Sequence, residues 1–245
     1  MKDIIPPFEG FHRNAFQFLK DLSNNNNTAW FNANRERFQN ELVIPARSFV
    51  TEIGEFFSRL NPSIRTAPKF NETLMRINKD MRFAKGEPYR NYFLVHFGRF
   101  KMDTEFYVFF ESDSFQYGIF INNSGDNKDL FFSKNLTRYK KELCRIIERS
   151  AINRNFEFYD MKKEMILIDR IFDIKEHYDK LLTTKMILLQ KSLPVHDKRI
   201  YSGDILIEAI QTFSILYPLY CFSVSSQPLR MITEFEENFG VVQVL

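Results

Sequence analysis

The stretch that decides the fold is Glu105-Phe106-Tyr107-Val108-Phe109-Phe110-Glu111, Ser112-Asp113-Ser114, Phe115-Gln116-Tyr117-Gly118-Ile119-Phe120-Ile121. Two runs rich in aromatic and β-branched residues flank a short polar connector. That composition reads as two strands of one hairpin. Upstream, Thr73 to Asn78 and Tyr92 to Phe97 have the same character and extend the strand block.

Outside the block the period changes. Ala15, Phe18, Leu19 and Leu22 have the i, i+3, i+4, i+7 spacing of an amphipathic helix. Asn24 to Asn27 interrupt it, and Asn27 is a good N-cap for a second helix carrying Trp30, Phe31, Asn34 and Phe38. A third helix places Ala46, Val50, Ile53, Phe57 and Leu60 on one face, with Pro45 in its first turn and Asn61-Pro62 as its stop. After the strands, Asn122 to Asn127 reads as a loop. A helix with Leu136, Tyr139, Leu143 and Ile147 inward follows. Short strands come next at 156–159 and 165–168, then helices over 178–190, 204–216 and 229–238. Helices, then strands, then helices with short strands is the α+β order: a mostly antiparallel sheet, strands about 73–121, packed with N-terminal and C-terminal helices. No repeat or linker divides the chain, which is read as a single globular domain over 1–245.

The 245 residues suffice for a core that buries roughly 70–75 % of the unfolded surface. The 28 Phe accompany many Asn, Lys and Ile, a bias of AT-rich coding rather than a demand of function. A net charge of +3 is too mild to require nucleic acid. Cys144 and Cys221 lie in apolar helical patterns and read as reduced, buried thiols, which fits a cytoplasmic protein. The stretch Met1 to Pro7 lacks the apolar core of a signal peptide, and no run reaches the ~18 apolar residues of a membrane span.

One stretch carries the candidate chemistry: Arg76-Ile77-Asn78-Lys79-Asp80-Met81-Arg82-Phe83-Ala84-Lys85-Gly86-Glu87-Pro88-Tyr89-Arg90. Its cations cluster around turn residues. Fixed cations around a turn suit a phosphate or a carboxylate: Arg76 and Arg82 as bidentate donors, Lys79 and Lys85 as point charges, Arg90 as a further cation and Asp80 orienting a guanidinium. The plainer alternative is a solvated rim whose charges pair locally, Asp80 with Arg82 or Arg76. Asn26 and Trp30, with their neighbours, would add amides and an aromatic wall, with Tyr89 alongside, or would serve only as a helix start. As a catalyst, Asp80 would be a general base, a role its arginine neighbours weaken by lowering its pKa.

Other chemistries lack their signatures. The four histidines, His12, His96, His177 and His196, show no zinc spacing, and no metal is assigned. His196-Asp197 are adjacent and need not face each other. P-loop, Rossmann and nucleophile-elbow glycine patterns are missing, so no catalytic residue and no cofactor is assigned. The strand aromatics read as core rather than as base-stacking surfaces, so nucleic acid is disfavoured as a partner. The partner expected is an anionic small molecule, with no membrane. A protein scaffold using the same patch is the non-catalytic alternative.

Asn25-Asn26-Asn27-Thr28-Ala29-Trp30-Phe31, then Arg35 and Phe38, then Arg76 to Lys85 with Pro88-Tyr89-Arg90, resemble the uncharacterised domain of unknown function 2461 family. Its motifs are Asn-Asn-Asn-x-x-Trp-Phe and Arg-x-x-Arg-Asp-x-Arg-Phe-Ser-Lys-x-x-x-Pro-Tyr-Lys. Tyr178 to Lys185 is similar to a later Leu-Leu-x-x-Lys region. Here Lys79 replaces an Arg, Ala84 replaces the Ser, the stretch from Lys85 to Pro88 is one residue shorter, and Arg170 to Asp173 lack the glycine found upstream of the Leu-Leu region. The resemblance implies a cytoplasmic α+β domain and brings no activity, substrate or cofactor with it.

Overall fold

The computed structural model describes residues 5–83, 85–124, 130–161 and 164–240. Ala84, residues 125–127 of the predicted loop and the start of the Met1 to Pro7 stretch lie outside them. In chain order come α1 (Arg13–Asn24), α2 (Thr28–Ala33), α3 (Arg35–Phe38), a π-helix (Gln39–Val43) and α4 (Ile44–Leu60). The strands β1 (Phe93–Phe97), β2 (Glu105–Phe110) and β3 (Ser114–Asn122) follow, then α5 (Phe132–Arg138), α6 (Lys140–Arg149), β4 (Glu157–Asp160) and β5 (Ile166–Asp169). The chain closes with α7 (Ile174–Thr183), β6 (Met186–Pro194), a 3₁₀ turn (Lys198–Tyr201), α8 (Asp204–Val224) and α9 (Pro228–Phe239). The strands form one antiparallel sheet of order β1-β2-β3-β6-β4-β5. This is the α+β class read from the sequence.

Several boundaries differ from the sequence reading. Residues 73–78 are not a regular strand: isolated bridges, Phe70 to Leu74, Leu74 to Val95 and Asn78 to Tyr89, stand in place of a continuous ladder. The second helix breaks at Asn34, whose side-chain amide donates to the Trp30 carbonyl (3.0 Å) and so competes with the backbone ladder. Pro45 stands in the first turn of α4, as the sequence predicts, but the chain enters α4 directly from the π-helix: proline has no N–H for the Glu41 carbonyl, and the Ile44 N–H reaches back five residues to the Gln39 carbonyl. The helix expected over 136–147 is two, broken at Tyr139.

The largest difference is β6. Residues 186–190 were expected as helix and form a strand buried from Ile187 to Gln190. A short apolar run looks the same in a buried helix and in a strand covered on both faces. Gly118 of β3 permits its approach: an added Cβ would fall on the Leu189 carbonyl oxygen and 2.8 Å from the Gln190 Cα. α8 is also longer than expected, 21 residues containing an 18-residue window of mean hydropathy 1.5, long and apolar enough to cross a membrane by length and composition. Of that stretch 61 % is buried in the fold, as in a core helix.

The chain clusters into two compact units. Residues 1–97, 107–117 and 192–210 make the first. Its core is aromatic: Phe11 packs against Phe8, Phe49, Phe110 and Phe115 with centroids 4.7–5.5 Å apart. Residues 98–106, 118–191 and 211–245 make the second. There Phe106 packs on Phe213 and Tyr220, and Phe158 and Phe172 enclose the His177 ring.

Candidate functional site

The site begins with one side chain amide. Asn26, just before α2, donates from Nδ2 to the Tyr89 carbonyl (2.9 Å) and accepts at Oδ1 from the Tyr89 N–H (3.1 Å). The same Nδ2 donates to Glu87 Oε2 (3.1 Å). The asparagine run and the basic stretch, more than sixty residues apart, therefore meet. Asn27 beside it accepts from the Trp30 N–H (3.0 Å) and caps α2 as the sequence predicts. The cap aims Phe31 inward, where its ring stacks on Tyr89 at 4.1 Å. Tyr89 is thus a buried wall, and Trp30 packs toward Phe18 (5.7 Å).

The basic stretch is a hairpin. Lys79 N–H donates to the Pro88 carbonyl (2.9 Å) and Arg90 N–H to the Ile77 carbonyl (2.8 Å). Arg90 spends its guanidinium on the same structure, donating from Nη1 to the carbonyls of Arg76 (3.0 Å) and Asn78 (2.6 Å). At the tip, Arg82 grips Asp80 with Nε (3.0 Å) and Nη2 (2.7 Å), and the Arg82 N–H donates to the same carboxylate. That grip holds the Asp80 pKa below the ordinary carboxylate value, the side-chain bond first and the backbone bond second. Both groups are open to water, Arg82 by 81 % and Asp80 by 48 %. Lys85 is exposed and Lys79 half-buried.

Beside the hairpin's base lies a pocket of about 160 Å³. Phe31, Phe38 and Phe70 supply aromatic surface, Arg35 and Arg76 charge, and Gln39 and Asn78 amides, with Ile77 between. Each guanidinium is braced by one asparagine: Arg76 Nε donates to Asn71 Oδ1 (3.1 Å) and Arg35 Nη2 to Asn32 Oδ1 (3.2 Å). Asn71 holds a left-handed backbone at φ +66°, which asparagine tolerates better than most residues. Arginine carries five N–H donors, so donors remain for a ligand after one such bond. Gln39 opens the π-helix, a rare form that recurs at functional sites.

Of the residues picked from the sequence, Arg76 lines this pocket; Asn26, Tyr89 and Arg90 build its frame, and Lys79, Asp80, Arg82, Lys85 and Trp30 are not among its lining residues. Arg35, Phe31, Phe38, Gln39, Phe70 and the bracing Asn71 were not picked as site residues; Arg35 stood in the sequence reading only as part of the family resemblance, and Asn71 had the local signal of a residue that tolerates a left-handed turn. Among the described residues no three His, Cys, Asp or Glu side chains gather as metal ligands would. Asp197, paired with His196 in the sequence, instead caps the 3₁₀ turn and holds Arg199 bidentately (2.7 and 3.0 Å).

The architecture defines a class first: an α+β protein with an antiparallel sheet and N-terminal helices over an aromatic pocket with two arginines. The family model for a conserved hypothetical protein (DUF2461) matches residues 14–222, and the chain belongs to that family. No curated protein matches it.

Proposed function

We propose that this protein binds a small anionic ligand in the pocket between Arg35 and Arg76. The observation that carries the reading is the pairing of two braced guanidinium groups with three phenylalanine rings in about 160 Å³. A cavity of roughly 150 Å³ holds a six-membered ring. The ligand class is therefore a phosphate or carboxylate, bare or on a single flat ring, with the acid on the arginines and the ring on Phe31, Phe38 and Phe70. Lys79, Arg82 and Lys85 supply attraction at longer range. Asp80 is not assigned as a base, since Arg82 occupies both its oxygens. Free Cys144 and Cys221 support a cytoplasmic setting.

Thermal shift against phosphate, pyrophosphate, nucleotides and aromatic carboxylates tests this, with Arg35→Gln, Arg76→Gln and Arg82→Gln beside the parent. A ligand at 100 times its Kd adds about 2.7 kcal/mol, a shift of several degrees. The shift is lost in Arg35→Gln and Arg76→Gln and kept in Arg82→Gln. Loss only in Arg82→Gln moves the site to the hairpin tip, and no shift with any ligand refutes the reading.

A further inference from the structure

Each arginine of the pocket has an amide on the same face of its own element. Arg35 and Gln39 stand four residues apart, one helical turn, across the step from α3 into the π-helix. Arg76 and Asn78 stand two apart in an extended limb of the hairpin, both exposed, with Ile77 buried between them. All four line the same cavity. The asparagines around it are spent on the protein itself: Asn32 on Arg35, Asn71 on Arg76, Asn34 on the Trp30 carbonyl, Asn27 on the Trp30 N–H and Asn26 on Tyr89. Gln39 and Asn78 differ. Among the described residues their side-chain amides make no hydrogen bond, and Asn78 holds Arg90 through its backbone carbonyl, not its side chain (2.6 Å).

We propose, resting on the anion-binding reading of this pocket, that the ligand carries a six-membered lactam ring of the pyrimidinedione class. Gln39 and Asn78 read its ring N–H and C=O groups, and Arg35 and Arg76 hold its acid. A primary amide offers a donor and an acceptor side by side, and a lactam edge offers the complement. The protein uses that complement once already, where the Asn26 amide closes on the N–H and carbonyl of Tyr89 (3.1 and 2.9 Å). A ring seated on Phe31, Phe38 and Phe70 excludes water from both amides. A plain phenyl ring leaves them unpaired, which weakens binding, whereas a lactam pairs them. Half-buried Gln39 feels this more than exposed Asn78. The two amides therefore set specificity, and the arginines supply affinity for any ring acid.

Isothermal titration calorimetry of the full chain tests it with phosphate, benzoate, uracil-5-carboxylate and uracil-6-carboxylate. The parent is compared with Arg76→Gln and with the double variant Gln39→Met, Asn78→Leu, which keeps side-chain size and removes both amides. The parent binds at least one uracil acid about 5- to 150-fold tighter than benzoate, the gain of two hydrogen bonds. The double variant binds the uracil acids and benzoate alike and keeps the parent's benzoate Kd, which also shows that its pocket is folded. Uracil acids that bind the parent no tighter than benzoate, or a preference that survives the double variant, overturn this inference and leave the anion site standing. Phosphate binding with no ring acid bound does the same. No binding of any acid, or binding unchanged in Arg76→Gln, overturns the anion-binding reading and this inference with it.

Discussion

The Asn26 side chain and the Tyr89 backbone form a closed pair of hydrogen bonds, 2.9 Å from Nδ2 to the carbonyl and 3.1 Å from the N–H to Oδ1. An amide presents one donor and one acceptor side by side, as a neighbouring strand does. The half-buried Asn26 thus acts as a one-residue strand for the hairpin. Asn26→Asp keeps the shape but faces the Tyr89 carbonyl with an acceptor. It is expected to lower stability by about 1–3 kcal/mol in urea unfolding. An unchanged midpoint would show that the pair contributes nothing net.

Gly118 gives a sharper prediction. Any Cβ there meets the Leu189 carbonyl oxygen, a backbone atom that cannot rotate aside. Gly118→Ala is expected to cost about 1–3 kcal/mol or more, because β3 and β6 must separate to admit it. Gly203→Ala, where an added Cβ meets nothing within 4 Å, is the control and changes stability little.

Acid stability should depend on capped aspartates. Asp173 accepts from the Lys175 N–H (2.9 Å) and from Arg154 Nε (3.0 Å), and these bonds hold its pKa below 3.8. Asp197 is lowered likewise, first by the Arg199 side chain. A carboxylate whose folded pKa is depressed stabilises the fold above its unfolded value and loses that contribution as pH falls through the folded one. The loss therefore falls below about pH 4. Asp173→Asn with Asp197→Asn retains capping, and urea midpoints between about pH 2 and pH 5 should fall less steeply than in the parent. An identical slope would place the acid sensitivity elsewhere.

Thiol labelling should separate the cysteines. Cys221 is fully buried in α8, and burial pushes its thiol up. Cys144 is half-buried, raised first by burial and then by Glu148. The thiolate is the reactive form, so native protein treated with iodoacetamide near pH 8 is expected to modify Cys144 slowly and Cys221 only on unfolding. Rapid native labelling at Cys221, read by peptide mass spectrometry, would contradict the packing around α8.

Local rules made much of the chain legible. The spacing of Ala15, Phe18, Leu19 and Leu22 encoded α1, Asn27 encoded the start of α2, and Ser112-Asp113 encoded the turn between β2 and β3. Each depends on residues within one or two turns of chain; the resemblance read from Asn25 to Phe31 and Arg76 to Arg90 agrees with the family match over residues 14–222. What local rules could not carry was set by partners far away in sequence. Met186 to Gln190 is a strand because both its faces are covered, which no window of that run reveals. Arg90 was one of a group of cations until the carbonyls of Arg76 and Asn78 claimed its guanidinium. The amino-acid sequence by itself determined the α+β class and the concentration of charge near residue 80, because periodicity and composition are local quantities. Only the tertiary structure decided that Asn26 reaches Tyr89, that a π-helix brings Gln39 beside Arg35 and Arg76, and that the pocket lies at the base of the hairpin rather than its tip. Those outcomes depend on long-range pairing and burial, which no local pattern encodes.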